Sequence, residues 1–239
     1  MSGAVAGSDG RLRCGWAVSS AEYERYHDEE WGRSVHGEAA LFERLSLEAF
    51  QSGLSWITIL RKREAFRRAF AGFDPGEVAA FDAHDVERLL GDAGIVRNRQ
   101  KIEATIANAR ALLALPEGTT LGSVLDGRRP AQRPAPATLA DVPAITPEST
   151  ALARDLRALG FRFVGPTTAY AMMQATGYTD DHLVDCWVRA ASAHDTDADA
   201  RADTDADADA DADAGAGADA GAGADGSSGA VVVPGPGLP

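Results

Sequence analysis

Two cysteines and five histidines make a short inventory of possible metal ligands, and four of the seven fall near the ends of one stretch of chain. Cys14 lies thirteen residues before His27, and His182 lies four before Cys186. Together they form a Cys₂His₂ set, the composition of a closed tetrahedral structural zinc site. Four residues apart, His182 and Cys186 are expected to share one face of a helix. The two halves are separated by roughly 155 residues of chain, so a shared ion would clamp the ends of the domain together and remove entropy from the unfolded chain. Two alternatives stand beside this reading. Cys14 and Cys186 could form a disulfide, which a reducing compartment disfavours. A catalytic zinc would keep one position open, whereas four good ligands point to a closed site.

Glu48 is the second residue of interest. In the segment EAALFERLSLEAFQS (residues 38–52), Leu41, Leu45, Glu48 and Ser52 fall in one narrow sector of a helical wheel, flanked by Phe42 and Ala49. A carboxylate on an apolar face is costly unless it is paired or used. It is either a structural group held by an arginine or backbone donors, or a carboxylate in a pocket.

The elements that must position these groups read as helices, and the fold class is all-α. Alternating or β-branched runs of useful length are not found. Asp74-Pro75 with Glu77, Asp82, Asn98 and Thr146-Pro147-Glu148 are start signals. Gly91, Gly94 and Gly160 are stops. Residues 115–142, rich in Pro, Gly and Thr, read as a long connection.

Composition sets the boundaries. From Asp195 onward eleven aspartates stand against one arginine, which leaves only about −3 of the total charge of −13 for the rest. The low isoelectric point thus belongs to a tail, and a near-neutral body can still carry clustered basic residues for DNA. Aspartates at every second position repel at i,i+4 and bury nothing, so residues 195–239 are expected to be disordered, a solvating tail in preference to a DNA-mimicking strip. Residues 1–10 are also expected to be disordered, leaving 11–194 as one helical domain. No signal peptide or membrane-length apolar run is found, so a cytoplasmic protein with no membrane partner is expected.

Six segments carry a family resemblance: RCGW (Arg13–Trp16), YHDEEWG (Tyr26–Gly32), LFERLSLEAFQSGLSWITILRKRE (Leu41–Glu64), DAGIVRNRQKI (Asp92–Ile102), LGFRFVGPT (Leu159–Thr167) and DDHLVDC (Asp180–Cys186). In order and spacing they resemble the bacterial 3-methyladenine DNA glycosylase I family over about residues 11–190. The resemblance implies a helix-hairpin-helix DNA glycosylase fold, with one structural Zn2+ per chain held by Cys14, His27, His182 and Cys186 and joining the N- and C-terminal ends of the domain. It further implies a base pocket at Glu48, Tyr26 and Trp56. That favours the pocket role for Glu48, which becomes the candidate catalytic residue.

The implied partner is double-stranded DNA containing alkylated bases, bound by a monomer. Gly160 and Gly165, flanking a turn between two helices, are candidate DNA-phosphate contacts through backbone N–H groups and a helix N-terminus. Phe161, Phe163 and Val164 between them are assigned to the core. Arg61, Lys62, Arg63, Arg67 and Arg68, with Arg97, Arg99 and Lys101, are candidate DNA-binding clusters. Asp180 and Asp181 are left without a catalytic role, one of them being suited to orient a zinc-ligating histidine. Trp16 and Trp31 are either pocket walls or core. With no obvious Schiff-base lysine, the expected enzyme is monofunctional. A non-catalytic DNA-damage binding module on the same fold and a zinc hydrolase are the competing readings.

Overall fold

The computed structural model describes residues 3–189; the aspartate-rich tail lies outside the described residues. Among the described residues, a two-stranded antiparallel ribbon, β1 (Ala4–Ala6) and β2 (Leu12–Cys14), precedes nine α-helices. These are α1 (Ala21–Glu29), α2 (Glu38–Gln51), α3 (Trp56–Ala69), α4 (Pro75–Ala80), α5 (Ala83–Gly91), α6 (Arg99–Leu113), α7 (Leu121–Asp126), α8 (Pro147–Ala158) and α9 (Pro166–Ala175).

The start signals act as read. The Asp74 carboxylate accepts from the Glu77 amide at 3.0 Å, and Asn98 does the same for Lys101 at 3.1 Å. Asp82 and Asp85 form a reciprocal capping box on α5, and Thr146 and Ser149 form one on α8. Each satisfies amides that the first helical turn leaves without partners.

Helix α2 is the central strut. Nine of its residues are buried, and α3, α6, α7 and α9 all pack against it. A phenylalanine layer fills one end: Phe50 lies 4.6 Å from Phe66, and Phe70 lies 5.5 Å from Phe73, centroid to centroid. Rings of this size contribute about 1.5–3 kcal/mol each on burial, so the layer holds α2, α3 and the turn after α3 as one body.

Two expectations are corrected here. Residues 1–10 are not wholly outside the fold, because Ala4–Ala6 pairs with Leu12–Cys14. The ribbon is held by a polar anchor that composition does not reveal. The Arg13 guanidinium, buried, donates to Asp9 at 2.7 and 2.9 Å and to Asp28 on α1 at 2.7 Å. The second correction concerns His182 and Cys186. They stand in a non-helical turn, which Asp180 initiates by accepting the His182 amide at 3.0 Å. The Cys186 amide closes it on the Leu183 carbonyl at 2.9 Å.

Candidate active site and metal centre

Three elements converge on Glu48. Helix α1 brings Tyr26, α2 brings Glu48 itself, and α3 brings Trp56 as its first residue. All three are buried, and the Tyr26 and Trp56 rings lie 5.3 Å apart. The placement of Trp56 has a cause that the sequence does not announce. Ser55 provides no side-chain cap for α3, and the Ile57 amide instead donates to the Tyr23 hydroxyl of α1 at 2.9 Å. Lys101, buried on α6, donates to the carbonyls of Phe50 and Ser52 at the end of α2. The α2–α3 corner is therefore held from two sides.

The electrostatics follow from dryness. Burial pushes the Glu48 carboxyl up to about 8, against the opposing pull of the positive charge of Arg44. At that position Glu48 favours its neutral form near pH 7. The Tyr26 hydroxyl and the Trp56 Nε1 are buried without hydrogen-bond partners. Orphaned buried donors are expensive, and here two of them, on rings 5.3 Å apart, lie in the same buried region as an acid. Beside it Glu30 is gripped by Arg63 of α3 at 2.5 and 2.8 Å and by Arg44 at 2.8 Å. Despite its own desolvation, those two guanidiniums hold Glu30 down to about 2.

The metal-ligand candidates also come together. The ligating atoms of Cys14, His27 and Cys186 all lie within 4.8 Å of one another and are buried. The Cys186 thiol sits 3.4 Å from His27 Nε2. His182 joins through its ring, centred 4.9 Å from that of His27, and its Nε2 is buried without a hydrogen-bond partner. Each histidine turns its other nitrogen to a carboxylate: His27 Nδ1 to Asp28 at 2.8 Å and His182 Nδ1 to Asp180 at 3.0 Å. With those carboxylates accepting, both Nε2 atoms are left as lone-pair donors, the arrangement that orients metal-bound imidazoles. The hydrogen bond between the two cysteines lowers the Cys186 thiol and raises that of Cys14, since two close thiols do not ionise independently. Gly32 makes room for this packing: its φ is +79°, and a Cβ there would lie 2.8 Å from His182 Cε1.

Trp16 and Trp31 lie between the two sites. Trp16 contacts Tyr26, His27 and Trp31, with centroids 6.4, 5.2 and 5.2 Å away, and Trp31 lies 4.6 Å from His182. They are buried core aromatics that join pocket and cluster. Of the two aspartates before the ligand turn, Asp180 orients His182. Asp181 instead accepts from Tyr170 at 2.5 Å, from Gln174 at 2.8 Å and from Arg133 of the long connection.

Most members of the basic clusters have partners within the protein, although Arg61 and Arg99 remain exposed. Arg61 pairs with Glu22, Arg63 with Glu30, Arg67 with Glu43 and Glu64, and Arg99 with Glu87. Lys62 and Lys101 are spent on backbone carbonyls. Among the described residues, Arg68 and Arg97 are the exposed members of these clusters with no ion pair.

The turn between α8 and α9 departs from its reading in two places. Gly160, at φ +94°, ends α8, but its amide donates to the Arg157 carbonyl at 3.0 Å. Gly165 is the N-cap of α9 and has no side-chain cap. Phe161 and Val164 are buried as assigned, whereas Phe163 is 43% exposed at φ +57°. The cause is Asn108 of α6, which brackets the backbone of one residue: its Nδ2 donates to the Arg162 carbonyl at 3.0 Å and its Oδ1 accepts the Arg162 amide at 2.6 Å. Asn108→Ala is expected to leave both groups unsatisfied in a part-buried turn, at a cost of about 2 kcal/mol. It should weaken DNA binding while leaving binding of a free base intact. Titrating the variant with a duplex and with the free base checks this; an unchanged duplex affinity would count against a DNA role for the turn.

A surface groove of about 660 Å³ lies elsewhere, between α5, α6 and this turn. No buried acid or orphaned donor faces it, so it is not the candidate site.

Comparison with known proteins accords with this geometry. A family model for methyladenine glycosylase matches residues 16–190. DNA-3-methyladenine glycosylase 1 of Escherichia coli (strain K12) is 45% identical over 179 residues, covering 73% of this chain and 95% of that protein. DNA-3-methyladenine glycosylase of Haemophilus influenzae is 42% identical, with 73% and 96% covered. A crystal structure of 3-methyladenine DNA glycosylase I superposes with a TM-score of 0.69 at 46% identity, covering 73% of this chain and 98% of that one. The Staphylococcus aureus enzyme, solved to explain 3-methyladenine recognition, gives 0.68 at 35% identity, with 74% and 95% covered. The chain belongs to the methyladenine glycosylase family.

Proposed function

We propose that the protein is a monofunctional base-excision-repair glycosylase that hydrolyses the N-glycosidic bond of 3-methyladenine in alkylated double-stranded DNA. The observation that carries this is the buried Glu48 beside two orphaned donors, the Tyr26 hydroxyl and Trp56 Nε1. A base stacked in a duplex cannot reach so enclosed a site, so the damaged nucleotide is flipped out. In DNA this base carries a delocalised positive charge and departs as a neutral molecule. Strong acid catalysis is therefore unnecessary, and selection for the cation is what the pocket must supply.

The Trp56 and Tyr26 faces attract a cation, by about 2 kcal/mol when water is excluded. A positive base also favours the ionised form of Glu48, whose proton passes to bulk water in the free enzyme before the base enters, so that the carboxylate can accept hydrogen bonds from the base edge. Undamaged adenine is neutral and leaves Glu48 protonated and desolvated. Discrimination thus rests on charge and not on shape alone.

The residues of the cluster fit a structural zinc ion. Cys14, His27 and Cys186 already surround one point, and the orphaned His182 Nε2 supplies the fourth donor. When bound, the ion would clamp β2 and α1 to the turn after α9. The helices α8 and α9 with their turn serve as the helix-hairpin-helix. The phosphate contact passes from Gly160, whose amide is used internally, to Gly165 and the N-terminus of α9. No helix among the described residues is long and apolar enough to cross a membrane, and action on DNA as a monomer in the cytoplasm fits this reading.

Release of free 3-methyladenine from methylated duplex, with the strand left uncut, is the expected result. A well-folded protein that binds damage but releases no base would instead make it a binding module. The pH profile gives a second expectation. Because the acid is held up to about 8 and the ionised form is the productive one, kcat/KM should rise with pH through a limb near that value. This ratio reports the free enzyme. A flat profile from pH 6 to 9 would sink the role of Glu48 ionisation.

A further inference from the structure

Arg44 lies one helical turn before Glu48, where i and i+4 side chains share a face. It is buried on α2, its guanidinium carbon lies 5.7 Å from the centroid of the Tyr26 ring, and its Nη2 donates to Glu30 at 2.8 Å. Its Nη1 is buried with no hydrogen-bond partner. Arg44 and Arg63 both grip the single carboxylate of Glu30. Glu43, the neighbouring acid on α2, is spent on Arg67. Buried Arg44 and half-buried Arg63 thus share the one carboxylate of Glu30, which compensates the Arg44 charge only in part. A guanidinium does not lose its proton in proteins, so that charge is permanent.

We propose that Arg44 is a positioning residue for recognition of the cationic base: clamped by Glu30 and seated on Tyr26, it supplies the fixed positive charge that makes the ionised form of Glu48 accessible. The inference rests on the base-excision reading above. It gives the Glu30–Arg63 pair a purpose, which is to hold Arg44 against the ring.

Other charges near α2 do not compete for this role. Helix α1 brings Tyr26, and the residue after it, Glu30, is already ion-paired. From α3 comes Arg63, on Glu30, and from α6 comes Lys101, tied to the Phe50 and Ser52 carbonyls. Helix α9 carries no charged residue, and its Tyr170 is bound to Asp181. Asp126 of α7 and Glu77 of α4 are at the surface. Among the described residues, the positive charge of Arg44 opposes the rise that burial imposes on the Glu48 carboxyl.

The test compares Arg44→Met, Arg44→Gln and Arg44→Lys with wild type, reading kcat/KM for 3-methyladenine release from pH 6 to 9.5. Methionine fills similar apolar space without charge, and glutamine keeps polarity if methionine disturbs the fold; melting curves confirm folding. Removing the charge should move the rising limb about one unit to the alkaline side, a tenfold loss at pH 7 that narrows toward pH 9.5. Lysine should restore the wild-type position of the limb. A limb unmoved in both uncharged variants, or a loss of equal size at every pH, would overturn the assignment and leave Arg44 as a structural residue. If wild type shows base release but no limb, Glu48 ionisation fails and this inference with it. If wild type releases no base, the base-excision reading itself has failed.

Discussion

Glu48→Gln is expected to reduce 3-methyladenine release by about 10²–10³-fold while leaving the protein folded. The substitution keeps the shape of the side chain and its oxygen acceptor. It removes only the ability to become negative. On the proposed reading, in which Glu48, Trp56 and Tyr26 hold the base away from water, one preorganised electrostatic contact to a charge-bearing group is worth about 3–4 kcal/mol. Glu48→Ala should lose as much and also weaken binding of the free base more than binding of undamaged DNA. Single-turnover assays at pH 8.5, where wild-type Glu48 is more than half ionised, give the clearest contrast. A glutamine variant with wild-type turnover would show that the carboxylate is a structural leftover.

The stability of the same variant should move the other way. The folded-state pKa of Glu48 lies above its unfolded value of 4.5. Its contribution to stability is therefore fully present below about pH 4.5 and is lost as pH rises through about 8. Glutamine cannot ionise, so the variant should melt at the higher temperature at pH 9 and show a smaller advantage at pH 6. Activity lost with stability gained is the signature of a strained functional acid. An acid that belonged to a structural ion pair would lose both.

Removal of the metal is expected to have the larger effect on the fold. Purified protein should contain one zinc per chain, and Cys186→Ala should contain almost none. Structural zinc contributes folding free energy of about 10 kcal/mol or more in small domains. Even a third of that lowers Tm by about 10 °C in a domain of this size. The site joins β2 and α1 to the turn at His182–Cys186, so the first regions to lose hydrogen-exchange protection should be the N-terminal ribbon and that turn. Trp16 and Trp31, packed between cluster and pocket, should carry part of the loss to Tyr26 and reduce activity as well. Wild-type protein free of metal yet equally stable, or a Cys14–Cys186 disulfide found in protein purified under reducing conditions, would remove the zinc assignment.

Much of this was written locally. Capping residues and helical periodicity determine where α2, α4, α5, α6 and α8 begin, because those signals act within one turn of chain. The apolar wheel of α2 already marks Glu48 as out of place. The types and numbers of cysteine and histidine suffice to suggest a metal, since ligand chemistry is a property of the side chain. What the tertiary structure decided is everything that depends on partners distant in sequence. Tyr23 caps α3 across 34 residues, Asn108 brackets the backbone of a residue 54 positions away, and Arg13 recruits a strand from residues that composition assigns to a loose end. The basic runs read as a DNA surface, yet half of their members are paired with acids distant in sequence, and runs of one charge do not reveal who will face them. Most of all, no sequence pattern could say that Glu48 would favour its neutral form near pH 7. Its charge depends on how much water the assembled helices exclude and on the opposing charge of Arg44, and those exist only once the chain has folded.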